Sequence, residues 1–418
     1  MAKSAVIIGG SLAGLMHGIM LKHHGYNVTI LEQEPSTSRQ GYDAGIKLGP
    51  NVLSFMKNHD RVNREYKIDS VSPVTFNADG KPKPKHKQEM TATSWGLFSS
   101  ILRANFCEQG SKAVPNAPKR KSGDGEVVFR NGAKVKDLSY AGGKVAVHFE
   151  DITNGLDDTI SADLVVVADG TQSSIRGILL PDVKRRYAGY ICWRGTVPES
   201  EMDEQYNSEY ANRFTFHFMN KEYIICYTVP TDEGDLEPGK RLHNWLWYMP
   251  LPEDSSEYSK VMTDTNGITH SGTVPRGLVH PKVWENLKSI ASSKCPPGIV
   301  SMMEKSKLPF VTKVYDVTSS KASFFGGNVF LVGDALFTLR PNIGMSTQHA
   351  AYDCEMLEHV IEGTMTTAQW ETAVLRCGNA QQHFAYMVAS YGLGTKLQFI
   401  LNALRWGLLL LGQNLGLS

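Results

Sequence analysis

The chain has 418 residues, long for a single core and suited to two or three packed units. Its 43 Lys and Arg against 42 Asp and Glu leave no global field, which speaks against nucleic acid or a strongly charged partner. Six cysteines (Cys107, Cys192, Cys226, Cys295, Cys354, Cys377) lie far apart without C-x-x-C or Cys/His ligand spacing, so neither disulfides nor a structural metal is expected.

Residues 5–32 read AVIIGGSLAGLMHGIMLKHHGYNVTILE. The run at 5–8 is β-branched and apolar, as a buried strand requires, and it breaks at Gly9 and Gly10. Leu12, Leu15, Met16, Ile19 and Met20 then recur at helical spacing, and a second apolar run at 28–31 ends on Glu32. This is a βαβ unit of the length used to bind dinucleotides. Gly9 permits a sharp turn, Gly14 lets helix and strand approach closely, and the helix amino end offers N–H groups to a pyrophosphate. The middle glycine of G-x-G-x-x-G is replaced by Ser11, whose hydroxyl can reach a phosphate. Glu32, eighteen residues past Gly14, suits an unphosphorylated ribose and so favours FAD or NAD over NADP as resident nucleotide. No charged and apolar leader precedes the first strand, so a cytoplasmic protein is expected.

Further along, Asn51 is a candidate N-cap for a helix through Val52, Leu53 and Met56. GKPKPKHK at 80–87 reads as an exposed basic loop, and TSWGLFSSILRANFCEQG at 93–110 carries a helical apolar stripe flanked by Arg103. Runs at 127–129 and 145–149 predict an antiparallel meander. Residues 164–167, LVVV, form another fully apolar strand, punctuated by Asp169-Gly170, so a second strand end joins the first as a binding edge. Between 187 and 248 aromatic and β-branched residues alternate, as in an antiparallel sheet, and an aromatic-lined sheet facing a cavity fits a flat organic ligand. NVFLVGDALFTLRPNIGMSTQ then reads strand, Gly333-Asp334, loop, glycine turn, and a helix amino end at Gly344 to Gln348. The tail after 363 is helical. Its apolar stretch is interrupted by Gln398, Asn402 and Arg405, which excludes a transmembrane span and favours a helix packed on the body over a membrane-surface anchor.

GGSLAG, VVVADG and FLVGDALFTLRP, far apart in one chain, together resemble the single-component FAD-dependent aromatic hydroxylases of the para-hydroxybenzoate hydroxylase type. YAGYICWRGTVPE, NWLWY and PFVTKVYD are similar to the branch containing 2,6-dihydroxypyridine, urate and salicylate hydroxylases. The resemblance implies an α/β fold: a three-layer, Rossmann-like FAD-binding domain (1–75, 93–180 and 272–362), an inserted, mostly antiparallel substrate sheet (76–92 and 181–271) and a helical region (363–418). It assigns Gly9, Ser11, Leu12, Ala13, Gly14, Glu32, Gln33, Arg39, Arg103, Asp169, Asp334, Gly344, Met345 and Ser346 to FAD. Tyr190, Trp193, Trp247, Pro341 and Asn342 are the candidate substrate residues, and Arg194, His217 and Tyr227 the candidates for handling a substrate proton. Two departures stand out: the flavin-side turn, usually G-x-G, is Gly344-Met345-Ser346, and Asn342 stands where this branch often has His. The implied activity is monooxygenation of an aromatic, heteroaromatic or natural-product-like small molecule with bound FAD, transient NAD(P)H and O2. Alternatives within the same reading are a flavin-dependent halogenase, an epoxidase, or a flavoprotein without turnover. No nucleic-acid partner is expected, and a homodimer is.

Overall fold

The computed structural model describes residues 2–36, 44–70, 73–76, 82–84 and 90–414. Its nucleotide-type half is a six-stranded sheet in the order Ser323–Phe324, Val329–Leu331, Leu164–Val167, Ser4–Ile8, Asn27–Glu32, Val127–Asn131. All neighbours pair in parallel except the first two. The central strands are the fully apolar runs of the sequence, because a parallel sheet covered on both faces leaves no side for polar residues. Register matters for function: Ile8 pairs with Val167, and Val167 with Leu331. The turns at Gly9, Asp169 and Asp334, distant in sequence, therefore emerge side by side from one carboxyl edge.

The run at 127–129 departs from expectation. It extends the parallel sheet beside Asn27–Glu32, whereas the antiparallel meander is built from Ala133–Ala141, Lys144–Asp151 and Leu156–Ala162. The short apolar run carries no mark of its partner, and its strand pairing decides the matter.

The second half is a large, mostly antiparallel sheet in which Phe310–Thr318, Arg186–Pro198, Leu242–Pro250, Glu222–Val229 and Phe214–Met219 lie side by side. Val74–Phe76 adds in parallel to the last of these, and Thr273–Val274 antiparallel to the first. One face is sealed by helices Glu204–Tyr210, Pro281–Lys294 and Pro297–Lys305, over a core holding Trp193, Trp245 and Trp247. Residues 272–318, grouped by the sequence reading with the nucleotide-binding unit, pair with and pack on the large sheet.

Two long helices finish the described chain, Thr367–Leu393 and Lys396–Asn414. The first starts at a capping box, Thr366 with Gln369, and buries Trp370, Val374 and Ala385. The second folds back along it, with Gln413 and Arg376 exchanging side-chain-to-carbonyl hydrogen bonds of 2.8 and 3.0 Å and Trp406 packed on Phe384. Among the described residues no helix is long and apolar enough to cross a membrane.

Candidate active site

Two cavities open along the carboxyl edge of the parallel sheet, and Trp95 belongs to the walls of both. The first, about 650 Å³, is lined by Gly10, Glu32, Trp95 and Arg103. The second, about 320 Å³, runs from Ser11, Leu12 and Ala13 past Gly170 and Asp334 to the large sheet. Helix Leu12–His23 points its amino end between them, and Ser11 at its N-cap makes no side-chain capping bond. Its first N–H groups and that hydroxyl are thus left for an anion.

Close approach is enforced here by glycine. A Cβ on Gly14 would sit 1.9 Å from the Gly9 carbonyl oxygen, and one on Gly9, at φ +101°, would sit 2.4 Å from that of Ala168. The Glu32 carboxylate accepts from Gly10 N–H at 2.8 Å and Glu34 N–H at 2.9 Å, which fixes it at the cavity wall. Arg103 is held over the ring of Phe129 at 4.2 Å. Gln33 is exposed, and Arg39 lies outside the described residues.

Asp334 sits at the bottom of the second cavity, on a 3₁₀ turn whose Gly333 N–H is accepted by the buried Asp353 carboxylate at 2.8 Å. Burial pushes the Asp334 carboxyl up to about 6, opposed by a hydrogen bond from Ser346 and the charge of Arg176. Burial also raises Asp169, whose Oδ1 has no protein partner. Gly344, at φ +59°, turns the chain into helix Ser346–Ile361, with Met345 as its N-cap. A cradle a Cβ would fill, a helix amino end and inward-facing carboxylates of low solvation fit a dinucleotide stretched along this edge.

The sheet side of the second cavity is formed by Arg194, Phe214, Phe216, Ile225, Tyr227, Leu246 and Tyr248. Strand alternation decides who is there. Phe214 and Phe216 face in, so His217 faces out, stacked on Phe76 at 4.4 Å and 3.3 Å from the Tyr210 hydroxyl. Arg194, Leu246 and Tyr248 face in, so Trp193 and Trp247 lie in the core beneath the opposite face, where Trp247 donates to Glu222. His217, Trp193 and Trp247 are thus corrected as contacts of this cavity. Tyr190 shares the inward face but lies farther along, at a separate opening beside Arg340 and Asp316. Tyr227 reaches the cavity, yet its hydroxyl donates to the Gly45 carbonyl at 2.8 Å and burial pushes it up to about 12. In this arrangement it is held as a hydrogen-bond donor.

Arg194 sends one Nη to the same carbonyl at 3.5 Å while its buried Nε has no partner. Pro341 and Asn342 complete the wall, and the buried Asn342 amide makes no well-formed hydrogen bond, with the Tyr223 hydroxyl its nearest polar neighbour. Lys47, half-buried on strand Gly45–Leu48, also lines the cavity, and burial lowers its pKa below the usual lysine value. Sequence reasoning passed over Lys47, Met90, Trp95 and the Phe214/Phe216 pair. The alternation in RFTFHFM was the available signal for the last of these.

This glycine-lined edge beneath an aromatic sheet defines an FAD-binding protein. A model described as an FAD binding domain matches residues 2–180, and one described as FAD binding domain-like matches 187–316. The chain is 26% identical over 392 residues to 2,6-dihydroxypyridine 3-monooxygenase of Paenarthrobacter nicotinovorans, covering 92% of this chain and 90% of that protein. It is 22% identical to 6-hydroxynicotinate 3-monooxygenase of Bordetella bronchiseptica, over 86% of this chain and 82% of that one. The solved structure of 2,6-dihydroxypyridine-3-hydroxylase from Arthrobacter nicotinovorans superposes with a TM-score of 0.79 at 23% identity, covering 95% and 94%, which establishes the fold. Residues 2–180 thus carry an FAD binding domain, and over most of its length the chain is similar to FAD-dependent monooxygenases of aromatic compounds.

Proposed function

We propose that this enzyme hydroxylates a planar heteroaromatic substrate bearing a lactam or enolised hydroxyl edge. The observation that carries the reading is the Asn342 amide. A buried polar group without a partner costs about 1–3 kcal/mol, so native proteins rarely keep one. Asn342 presents a donor and an acceptor side by side, with only the Tyr223 hydroxyl near enough to engage one of them, at the wall of a cavity that also includes Phe214, Phe216, Leu246 and Tyr248. An N–H/C=O edge satisfies both at once. Hydroxypyridine and hydroxynicotinate, named for two relatives, carry that edge.

The oxygen chemistry is supplied by FAD when it is bound and reduced; the residues of this chain bind, orient and exclude water. Gly9 to Gly14 with Ser11, Leu12 and Ala13 would hold the pyrophosphate, Glu32 the ribose, and Arg103 a phosphate. Asp169, Asp334 and Gly344 to Ser346 face the flavin half. Lys47 and Arg194 would supply positive charge against the ring oxygen of a deprotonated substrate, beside Asn342, whose amide cannot itself take up the proton. Pro341 and Tyr248 confine the ring plane. The setting is the cytoplasm, with two copies paired.

The test is a screen of hydroxypyridines, hydroxyquinolines and simple phenols, reading NAD(P)H consumption together with a one-oxygen mass gain. Lactam-type rings turned over in preference to phenols is the expected result. A colourless protein that takes up no FAD overturns the enzyme assignment. Phenols alone as substrates overturn the lactam reading.

A further inference from the structure

The last helix, Lys396–Asn414, has a face that no other described residue covers. Leu397, Leu401, Leu404, Leu408 and Leu411 recur at intervals of four, three, four and three, and they are 45–67% exposed. Ile400 beside them is 52% exposed. The opposite face is engaged with helix Thr367–Leu393: Phe399 on Tyr391, Trp406 on Phe384, Asn402 to the Ser390 hydroxyl, Gln413 to Arg376. A 3.5-residue repeat of leucine is the seam of paired helices, because it keeps one apolar line facing a partner over successive turns. An interior helix has no use for that strictness, and this line faces water.

We propose that the seam is the contact between two copies of this chain, each laying Leu397, Leu401, Leu404, Leu408 and Leu411 against the same residues of the other. A two-fold contact needs a self-complementary surface, which a leucine seam is by construction. Six half-exposed side chains of this size offer roughly 600 Å² per protomer, so pairing buries about 1,200 Å², where specific stable interfaces begin. A lipid surface is the less suitable occupant. Interfacial helices carry Lys and Arg along a wet polar face, whereas here the face opposite the seam packs on the preceding helix and this helix carries only two exposed cations, Lys396 and Arg405. Gly407 and Gly412 have no atom within 4 Å of a Cβ position, so the backbone beside the seam is open to close approach. The inference specifies the pairing included in the functional reading, and its failure leaves the chemistry of the cavity untouched.

The experiment uses the FAD-loaded full chain. Light scattering after gel filtration and sedimentation velocity, at micromolar protein, should give the mass of two 46.2-kDa chains. Leu404→Glu with Leu408→Glu should give the mass of one, with flavin absorbance and NAD(P)H oxidation retained. Mixed with a Leu404→Lys, Leu408→Lys chain, it should return to the two-chain mass, a rescue that misfolding cannot imitate. A single-chain wild type overturns the proposal, as does a two-chain glutamate variant, a failed rescue between flavin-loaded variants, or single chains floating with phosphatidylserine vesicles.

Discussion

Asp334 makes the stability of the FAD-free protein fall with rising pH, and the benefit of added FAD grow with it. Burial holds its carboxyl at about 6 against 3.8 in the free residue. Between those values the folded chain keeps a proton that the unfolded chain has released, so folding is favoured at the acid end and loses ground as pH rises to about 6. The gap of about two pKa steps, at 1.36 kcal/mol each, sets an upper bound of about 3 kcal/mol. Above about 6 both states are ionised and the loss is complete. Hydroxyl donors of a bound flavin side chain would satisfy the carboxylate, and a hydrogen bond to a charged group is worth about 1.5–3 kcal/mol, or roughly tenfold or more in Kd. FAD should therefore bind more tightly as pH rises through about 6, releasing a proton. The assay is thermal unfolding with and without FAD from pH 5 to 8, beside Asp334→Asn, which should flatten the difference. Asp169 and Asp353, also raised by burial, are common to both proteins. An FAD-induced shift of equal size at pH 5 and 7.5, or a wild-type pH slope in Asp334→Asn, refutes the reasoning.

Gly14→Ala places a methyl 1.9 Å from the Gly9 carbonyl oxygen and should yield a protein that purifies without flavin; a yellow variant would show that the turn can open. Lys47→Met should raise KM for a hydroxylated substrate by about tenfold or more, the worth of one charged hydrogen bond, and an unchanged KM removes Lys47 from the substrate site. His217→Phe should leave coupled turnover near wild type because the ring faces Tyr210 and Phe76, so a drop beyond about tenfold in kcat/KM with a normal melt would return it to the chemistry. Glu199→Ala strands the buried Arg241, now held at 2.7 and 3.0 Å, and should cost about 3–5 kcal/mol in denaturant unfolding; a loss below about 1 kcal/mol would mean the pair is wet.

The nucleotide half was legible because its determinants are local. A β-branched run, a glycine turn, a helical stripe and an acid lie within residues 5–32, and each position answers to a backbone constraint that its neighbours also obey. The same holds for the apolar strands ending at Asp169 and Asp334, whose burial on both faces leaves a continuous apolar signature. The substrate half was legible only as a sheet. A strand of alternating large residues offers two faces, and a one-residue error in parity moves every side chain to the other side. His217, Trp193 and Trp247 are aromatic, buried and on the right strands, yet they face the helices that seal the sheet rather than the cavity.

What the sequence determined by itself is the cofactor edge and the existence of an aromatic sheet, because these follow from short-range backbone and burial rules. Tertiary structure alone decided which face of that sheet meets the cavity, that Val127–Asn131 joins the parallel sheet, and that Lys47 and Asn342 share a wall though nearly 300 positions apart. Strand pairing and packing are properties of partners, and a partner's identity is not written in either strand taken alone.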